Sequence, residues 1–380
     1  MAYCLYCGKE KSKEELTQEH FLPRAIGGNL DSYNPFSINN VCERCNTLSG
    51  LFIDAPFIKG WLLNNDRATN AKKYVDITEK TILPLKYLGV ISDLRFEDNV
   101  CELWLGPTGD LIYHFHQPWP DEENLPAMAG WPVGRIRKTV DKGFVFVFIR
   151  SNNPQWHPAI IYSIIAQFKD TIIYPGNFKV PPLPEFQVIP NKLKFLHEEI
   201  LKLNGKTHNG TMKISIDFGI RFLCKLGLGF GYLLFGEQFV LSEGAQILRA
   251  GMWSKNRKER EDIELHGSSF FSRNNHLEEL KELFPWKGGH SFILMPFGDG
   301  VGLYANFYES QSALIQIKHP TTTMNDGLVY VVAPTLKKCV GPITMGKFIG
   351  HLHRDGHVHP ELGQLDDIIQ KFQGWPPYEV

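Results

Sequence analysis

Four cysteines, a glutamate–histidine pair and a set of asparagines near the start of the chain carry the residue types that could do chemistry. Cys4 and Cys7 form one CxxC pair, and Cys42 and Cys45 form a second. Four thiolates are the donor set that a structural zinc ion takes in a tetrahedron. The loop between the pairs, residues 8 to 41, holds 34 residues, longer than a simple zinc ribbon, so it must contain structure of its own. Inside it stand Glu19 and His20. A carboxylate is a ligand for a hard divalent cation, and the imidazole beside it is a candidate general base. Asn46 directly follows Cys45 at the start of a helix, where zinc would pin its backbone and its amide oxygen would offer a second metal ligand.

Those residues need elements to position them. Neighbours on a strand point to opposite faces, so Glu19 and His20 converge only if a bend or bulge intervenes. Pro23 and the Gly27-Gly28 pair fit a hairpin around them. Residues 1–46 are too short to bury a core and need a staple, which zinc supplies. Residues 47–63 read as a helix with a break near Pro56.

Two CxxC knuckles flanking an acid–histidine pair, a following Pro and Gly-Gly, and CxxC-Asn at the end resemble the HNH, or ββα-metal, endonucleases over residues 4–65. The resemblance implies a metal-dependent hydrolase of phosphodiester bonds, with His20 as the base that activates water. It implies Glu19 and Asn46 as ligands of one Mg2+ or Mn2+ ion, and zinc on Cys4, Cys7, Cys42 and Cys45 as structure only. The family often has Asp at the position of Glu19. Its middle asparagine orients the histidine or bridges the hairpin. Asn34, Asn39 and Asn40 compete for that place here, and Asn40 is the favoured one. A nucleic-acid substrate follows, with DNA taken first. The rival from another class is a zinc-dependent nucleic-acid-binding or scaffold protein with an inactive HNH module.

The rest of the chain bounds this reading. It has 380 residues, 43% of them hydrophobic, and a formal net charge of −1, which excludes a global basic coat but not a local groove. No apolar run is long enough to span a membrane, and the N-terminus lacks the apolar core of a signal peptide, so a cytoplasmic, non-membrane protein is expected. The overall class is α+β. Three segments are expected: 1–70 as the nuclease domain, 71–190 as a β-rich region, and 191–380 as an α+β region serving recognition, oligomerisation or control. HNH domains joined to large regions resemble restriction enzymes and antiviral effectors, so a homo-oligomer and a partner protein or regulatory ligand are expected there.

Strands are predicted over 87–96, 101–106, 110–116, 143–150 and 212–218, and over SFILMPF, GLYANFY, ALIQIKH and VYVVAP further on. Helices are predicted over 157–169, 219–235 and 237–252, with a connector over 174–190. The glycines of GLGFG (227, 229, 231) sit in an apolar run without Lys-Ser/Thr and read as close helix packing rather than a phosphate loop. The run 254–264 reads as solvated charge. His351, His353, His357 and His359 read as a solvated strand–turn–strand rather than a second metal site. Cys101, Cys224 and Cys339 read as buried small hydrophobes.

Overall fold

The computed structural model describes residues 2–30, 34–72, 81–118, 143–169, 171–177, 185–203, 206–211, 217–254, 263, 265–267, 278–284, 286–308, 310–320, 324–353 and 358–372. The predicted charge run (all but Ser254 and Ile263), residues 178–184 of the connector and His357 lie outside them. The chain divides into two compact units that cut across the three expected segments. One joins Met1–Ile58 to Ile216–Gln370, and the other contains Lys59–Ser215. The N-terminal residues thus share a core with the C-terminal part, rather than forming a bead of their own.

In the first unit, β1 (Ala2–Tyr3) and β2 (Glu10–Lys11) make a small hairpin around Cys4 and Cys7. Strands β3 (Leu16–His20) and β4 (Ser37–Cys42) pair antiparallel and lead directly into the helix Glu43–Ser49. The helix does not break at Pro56. A π turn over Gly50–Asp54 shifts the bonding frame, with Ala55 N–H donating to the Gly50 carbonyl, so Pro56's missing N–H falls in the first turn of Ala55–Lys59. Gly60, with extended ψ, makes the break instead.

In the second unit, β5 (Lys86–Phe96), β6 (Asn99–Leu105), β7 (Leu111–His116), β8 (Phe144–Phe148), β9 (Ile172–Pro175) and β10 (Gly210–Thr211) form a sheet ordered β10-β5-β6-β7-β8-β9. Only β8–β9 is parallel. The predicted connector therefore begins within a strand. The FVFVF run of β8 is buried on both faces: Val145 and Val147 meet the helix His157–Gln167, while Phe146 and Phe148 meet the helix Asn191–Leu203. That burial is why this strand reads as a continuous apolar run.

The first unit resumes with the helix Asp217–Phe235, so the strand predicted over 212–218 ends at least at Asp217 in helix. Strands β11 (Leu265–Gly267), β12 (His290–Phe297), β13 (Gly300–Phe307), β14 (Gln311–Lys318), β15 (Leu328–Ala333) and β16 (Lys338–Thr344) form an antiparallel sheet ordered β11-β14-β13-β12-β15-β16. One face packs on the helices Met345–His353 and Pro360–Phe372 through Ile293, Tyr304, Val331, Phe348 and Leu365. The other receives the long helix 217–235 and the N-terminal hairpin. Phe21 and Phe36 meet Phe230 of that helix at ring separations of 5.3 and 6.0 Å, and Phe36 meets Phe292 and Tyr330 of the sheet at 6.0 and 5.8 Å. Gly227 and Gly229 serve close packing as read: a Cβ on Gly229 would lie 2.2 Å from Phe21 Cγ.

In the histidine-rich stretch His351 and His353 lie in the helix Met345–His353 and His359 directly precedes the helix Pro360–Phe372, so the expected strands are absent at these described residues. His351 is buried beside Asp366 at 3.2 Å. Cys101 and Cys224 are buried, and Cys339 is partly so. Among the described residues, no helix is long and apolar enough to cross a membrane.

Candidate active site

The two CxxC pairs converge. The sulfurs of Cys4, Cys7, Cys42 and Cys45 all lie within 4.8 Å of one another, and Cys4, Cys42 and Cys45 are buried. The first knuckle turns because Gly8 takes a positive φ of 66°, and its N–H donates to the Cys4 carbonyl. Cys4 Sγ accepts from the Cys42 N–H at 3.3 Å. The Cys45 thiol beside it and that N–H pull the Cys4 thiol far below the usual range, while the Cys45 thiol is pushed up. Four soft donors at this spacing fit zinc. Helix Glu243–Trp253 holds the knuckle from outside: Arg249 donates to the Leu5 carbonyl at 3.2 Å and Trp253 Nε1 to the Tyr6 carbonyl at 2.8 Å.

Zinc on Cys42 and Cys45 would fix the helix that carries Asn46. The Asn46 amide nitrogen donates to Gln18 O at 3.0 Å and Thr17 Oγ1 at 3.1 Å, which straps the helix to β3. The amide oxygen is the atom left to face a cation. The expected distortion of β3–β4 is present, because the register shifts between Thr17 and Glu19. Thr17 pairs with Val41 but Glu19 with Ile38, so β4 carries one extra residue around Asn39–Asn40.

The three asparagines of this stretch stand differently to His20. Asn39 is exposed, while Asn40 is turned inward and buried, its side chain has no hydrogen-bond partner, and its carbonyl accepts from Leu5 N–H. Asn34 is the residue that reaches the histidine, so the favoured Asn40 is corrected to Asn34. Its Nδ2 lies 3.3 Å from His20 Nδ1 and donates to the Gly28 carbonyl at 2.7 Å, while its Oδ1 accepts from Phe36 N–H at 2.9 Å. Two backbone partners thus fix the amide, and the amide faces the ring. Arg24, which the sequence did not single out, approaches the other side with Nη2 3.1 Å from His20 Nε2. A neutral imidazole offers one lone pair, so one approach is a hydrogen bond at a time. Donors on both sides oppose a second ring proton. Burial, then the Arg24 charge, lowers the His20 pKa below the ordinary histidine value.

Glu19 is buried and faces inward, away from solvent. Its Oε1 receives Tyr6 Oη at 3.1 Å and Lys225 Nζ at 2.7 Å. Lys225, on the long helix 217–235, is fully buried and also meets Asp54 at 2.6 Å. Burial pushes the Asp54 carboxyl up to about 6 against the pull of Lys225. With Asp54 ionised, two carboxylates around one ammonium leave one net negative charge. Glu19 Oε2 is then the oxygen suited to a divalent cation. Sequence spacing gave no sign of Lys225, which lies more than 200 residues away and looks like any charge in an apolar helix.

Residues 4–62 match the family model described as HNH endonuclease. The segment is an HNH domain. Neither a curated protein nor a solved structure matches the chain. The HNH match covers the cysteine knuckle, the β3–β4 hairpin, the Asn46 helix and the π turn, and ends at the start of the helix Trp61–Ala71. The long helix and the sheet that seat the HNH hairpin lie outside the match.

Proposed function

We propose that this protein is a metal-dependent endonuclease that hydrolyses phosphodiester bonds in nucleic acid, DNA first. The observation that carries this reading is the posture of His20: it stands at the end of β3 with Asn34 and Arg24 at its two ring nitrogens, in a hairpin strapped by Asn46. His20 accepts a proton from water as the water oxygen bonds to phosphorus and the phosphorus–oxygen bond to the leaving sugar oxygen breaks. A divalent cation such as Mg2+ or Mn2+, held by Glu19 and Asn46, would supply charge neutralisation at the phosphate. Exposed Arg24 meets the incoming phosphate, since a guanidinium suits that geometry.

One observation favours the rival reading, a nucleic-acid-binding module without activity: the Lys225 ammonium already sits on Glu19. Incubating the full chain with plasmid DNA and with RNA, each with Mg2+ and with a chelator, separates the two. Metal-dependent cleavage that His20→Ala lowers by about 10²–10⁴-fold supports the enzyme. Binding without cleavage in the presence of Mg2+ supports the module.

A further inference from the structure

A second cluster of ligand-type residues lies in the unit Lys59–Ser215, outside the HNH domain. Glu102 of β6 pairs directly across from His114 of β7, and Val100 pairs with His116. Residues two apart on one strand share a face, so Glu102, His114 and His116 point to the same side of the sheet. All three are buried, at 1%, 6% and 0% exposure. One ligand atom from each lies within 4.8 Å of the others.

The spacing is wrong for hydrogen bonds and right for a shared ion. Glu102 Oε2 lies 3.5 Å from His114 Nδ1 and 3.6 Å from His116 Nε2. Good hydrogen bonds between such atoms close to about 2.7–3.2 Å. Two donors each about 2.1 Å from one tetrahedral cation stand about 3.4 Å apart. Neither ring nitrogen of His114 has a hydrogen-bond partner, although both are buried. Leaving a buried polar group unsatisfied is unfavourable, and native structures rarely do so without an ion or water.

The surroundings hold the ligands in ligating form. His116 Nδ1 lies 2.7 Å from the Gln117 carbonyl. A carbonyl only accepts, so Nδ1 carries the proton and the lone pair is on Nε2, the nitrogen that faces Glu102. Trp104 Nε1 donates to Glu102 Oε2 at 3.2 Å, and Tyr87 Oη to Oε1 at 3.3 Å. Both fix the carboxylate, yet neither brings a charge. Among the described residues, Glu102 is paired with those four side chains, none of them a lysine or arginine. The ring of Phe168 covers His114 at 4.8 Å. A buried carboxylate held by two imidazoles, an indole and a phenol has no lysine or arginine beside it among the described residues, and a metal ion would supply that charge.

We propose that Glu102, His114 and His116 form a second metal site, which takes a divalent transition-metal ion of the zinc or iron(II) class. Two imidazoles and one carboxylate suit those ions rather than the all-oxygen shell of magnesium. The ion bridges β6 and β7, and its remaining positions are open to water or another small ligand.

The test uses full-length protein loaded in turn with zinc and with iron(II) and then freed of loosely held metal. Elemental analysis is expected to find one equivalent beyond that of the four cysteines under at least one of the two metals. Glu102→Gln and His114→Leu should each lose that equivalent and retain the other, whereas Cys7→Ser should do the reverse. X-ray absorption at the metal edge of the wild-type protein should show nitrogen and oxygen neighbours besides sulfur. A wild-type protein that binds one ion per chain under both metals, with an all-sulfur shell, overturns the proposal. So does a folded Glu102→Gln protein that retains both equivalents. If the variants fail to fold, the wild-type ligand shell alone decides.

Discussion

Lys225 Nζ stands 2.7 Å from Glu19 Oε1, so a residue of the long C-terminal helix touches the acid of the nuclease motif. Its other partner, Asp54, lies at the far end of the π turn that follows the zinc helix. The ion triad ties three parts of the first unit at one buried point. Lys225→Met would strand the buried carboxylate of Glu19 and the partly buried one of Asp54, and breaking a buried pair in this way typically costs about 3–5 kcal/mol. Urea denaturation should therefore show a large loss in Lys225→Met. The double variant Lys225→Met/Asp54→Asn should recover part of it, because one stranded charge is gone. Equal stability of the single variant and wild type would contradict the burial of this triad.

Asn34 and Asn40 separate the two candidate roles for a middle asparagine. Asn34→Ala should lower cleavage by about 10²-fold, the scale on which a misplaced catalytic group acts, with zinc content unchanged. Asn40→Ala should leave the cleavage rate within a few-fold, since its side chain is not at His20. Cleavage rates of the two variants, each normalised to bound zinc, check the order.

The pH dependence of cleavage follows from the His20 environment. A base must be neutral to accept a proton, and burial and Arg24 lower the His20 pKa. The acidic limb of the pH–rate profile should therefore fall below the pH at which an ordinary histidine titrates, near 6.5. Arg24→Ala removes one of the depressing charges, so the limb should move to higher pH. A limb that stays in place, or moves down, would break the link between Arg24 and the base.

Much of this site was legible because its chemistry is local in sequence. The CxxC pairs, Glu19-His20 and Asn46 lie within 43 residues, counted from Cys4 to Asn46, and zinc, hairpin and helix follow from their types. The choice among Asn34, Asn39 and Asn40 was not legible. A one-residue bulge flips which side chain faces which way, and nothing in the run SINNVC states where it falls. Lys225 was hidden because its partners lie in another segment. The Glu102–His114–His116 cluster was hidden for a related reason. HxH in a strand is a weak signal until pairing sets Glu102 opposite it.

Gly229 gives a packing prediction. Its Cα lies so close to the Phe21 ring that a Cβ would collide at 2.2 Å with the ring's root rather than its flexible end. Gly229→Ala should destabilise the protein by about 1–3 kcal/mol, the usual cost of overpacking. Phe21 follows His20 in sequence, so cleavage should fall as well. Thermal melting and cleavage rate, measured together, check both effects, and Gly346→Ala, a helical glycine whose Cβ would meet no neighbouring atom, is the control.

The aromatic seat of the hairpin also sets an order of events during synthesis. Phe36 emerges early, yet its partners Phe292 and Tyr330 emerge 256 and 294 residues later. At about 5–20 residues per second, that gap lasts about 15–60 s. Throughout it the hairpin that bears His20 has an uncovered apolar back. A ribosome carrying a partly made chain thus carries a blade without its handle, and on the proposed function competence to cut would arrive only when strand β15 has joined its sheet.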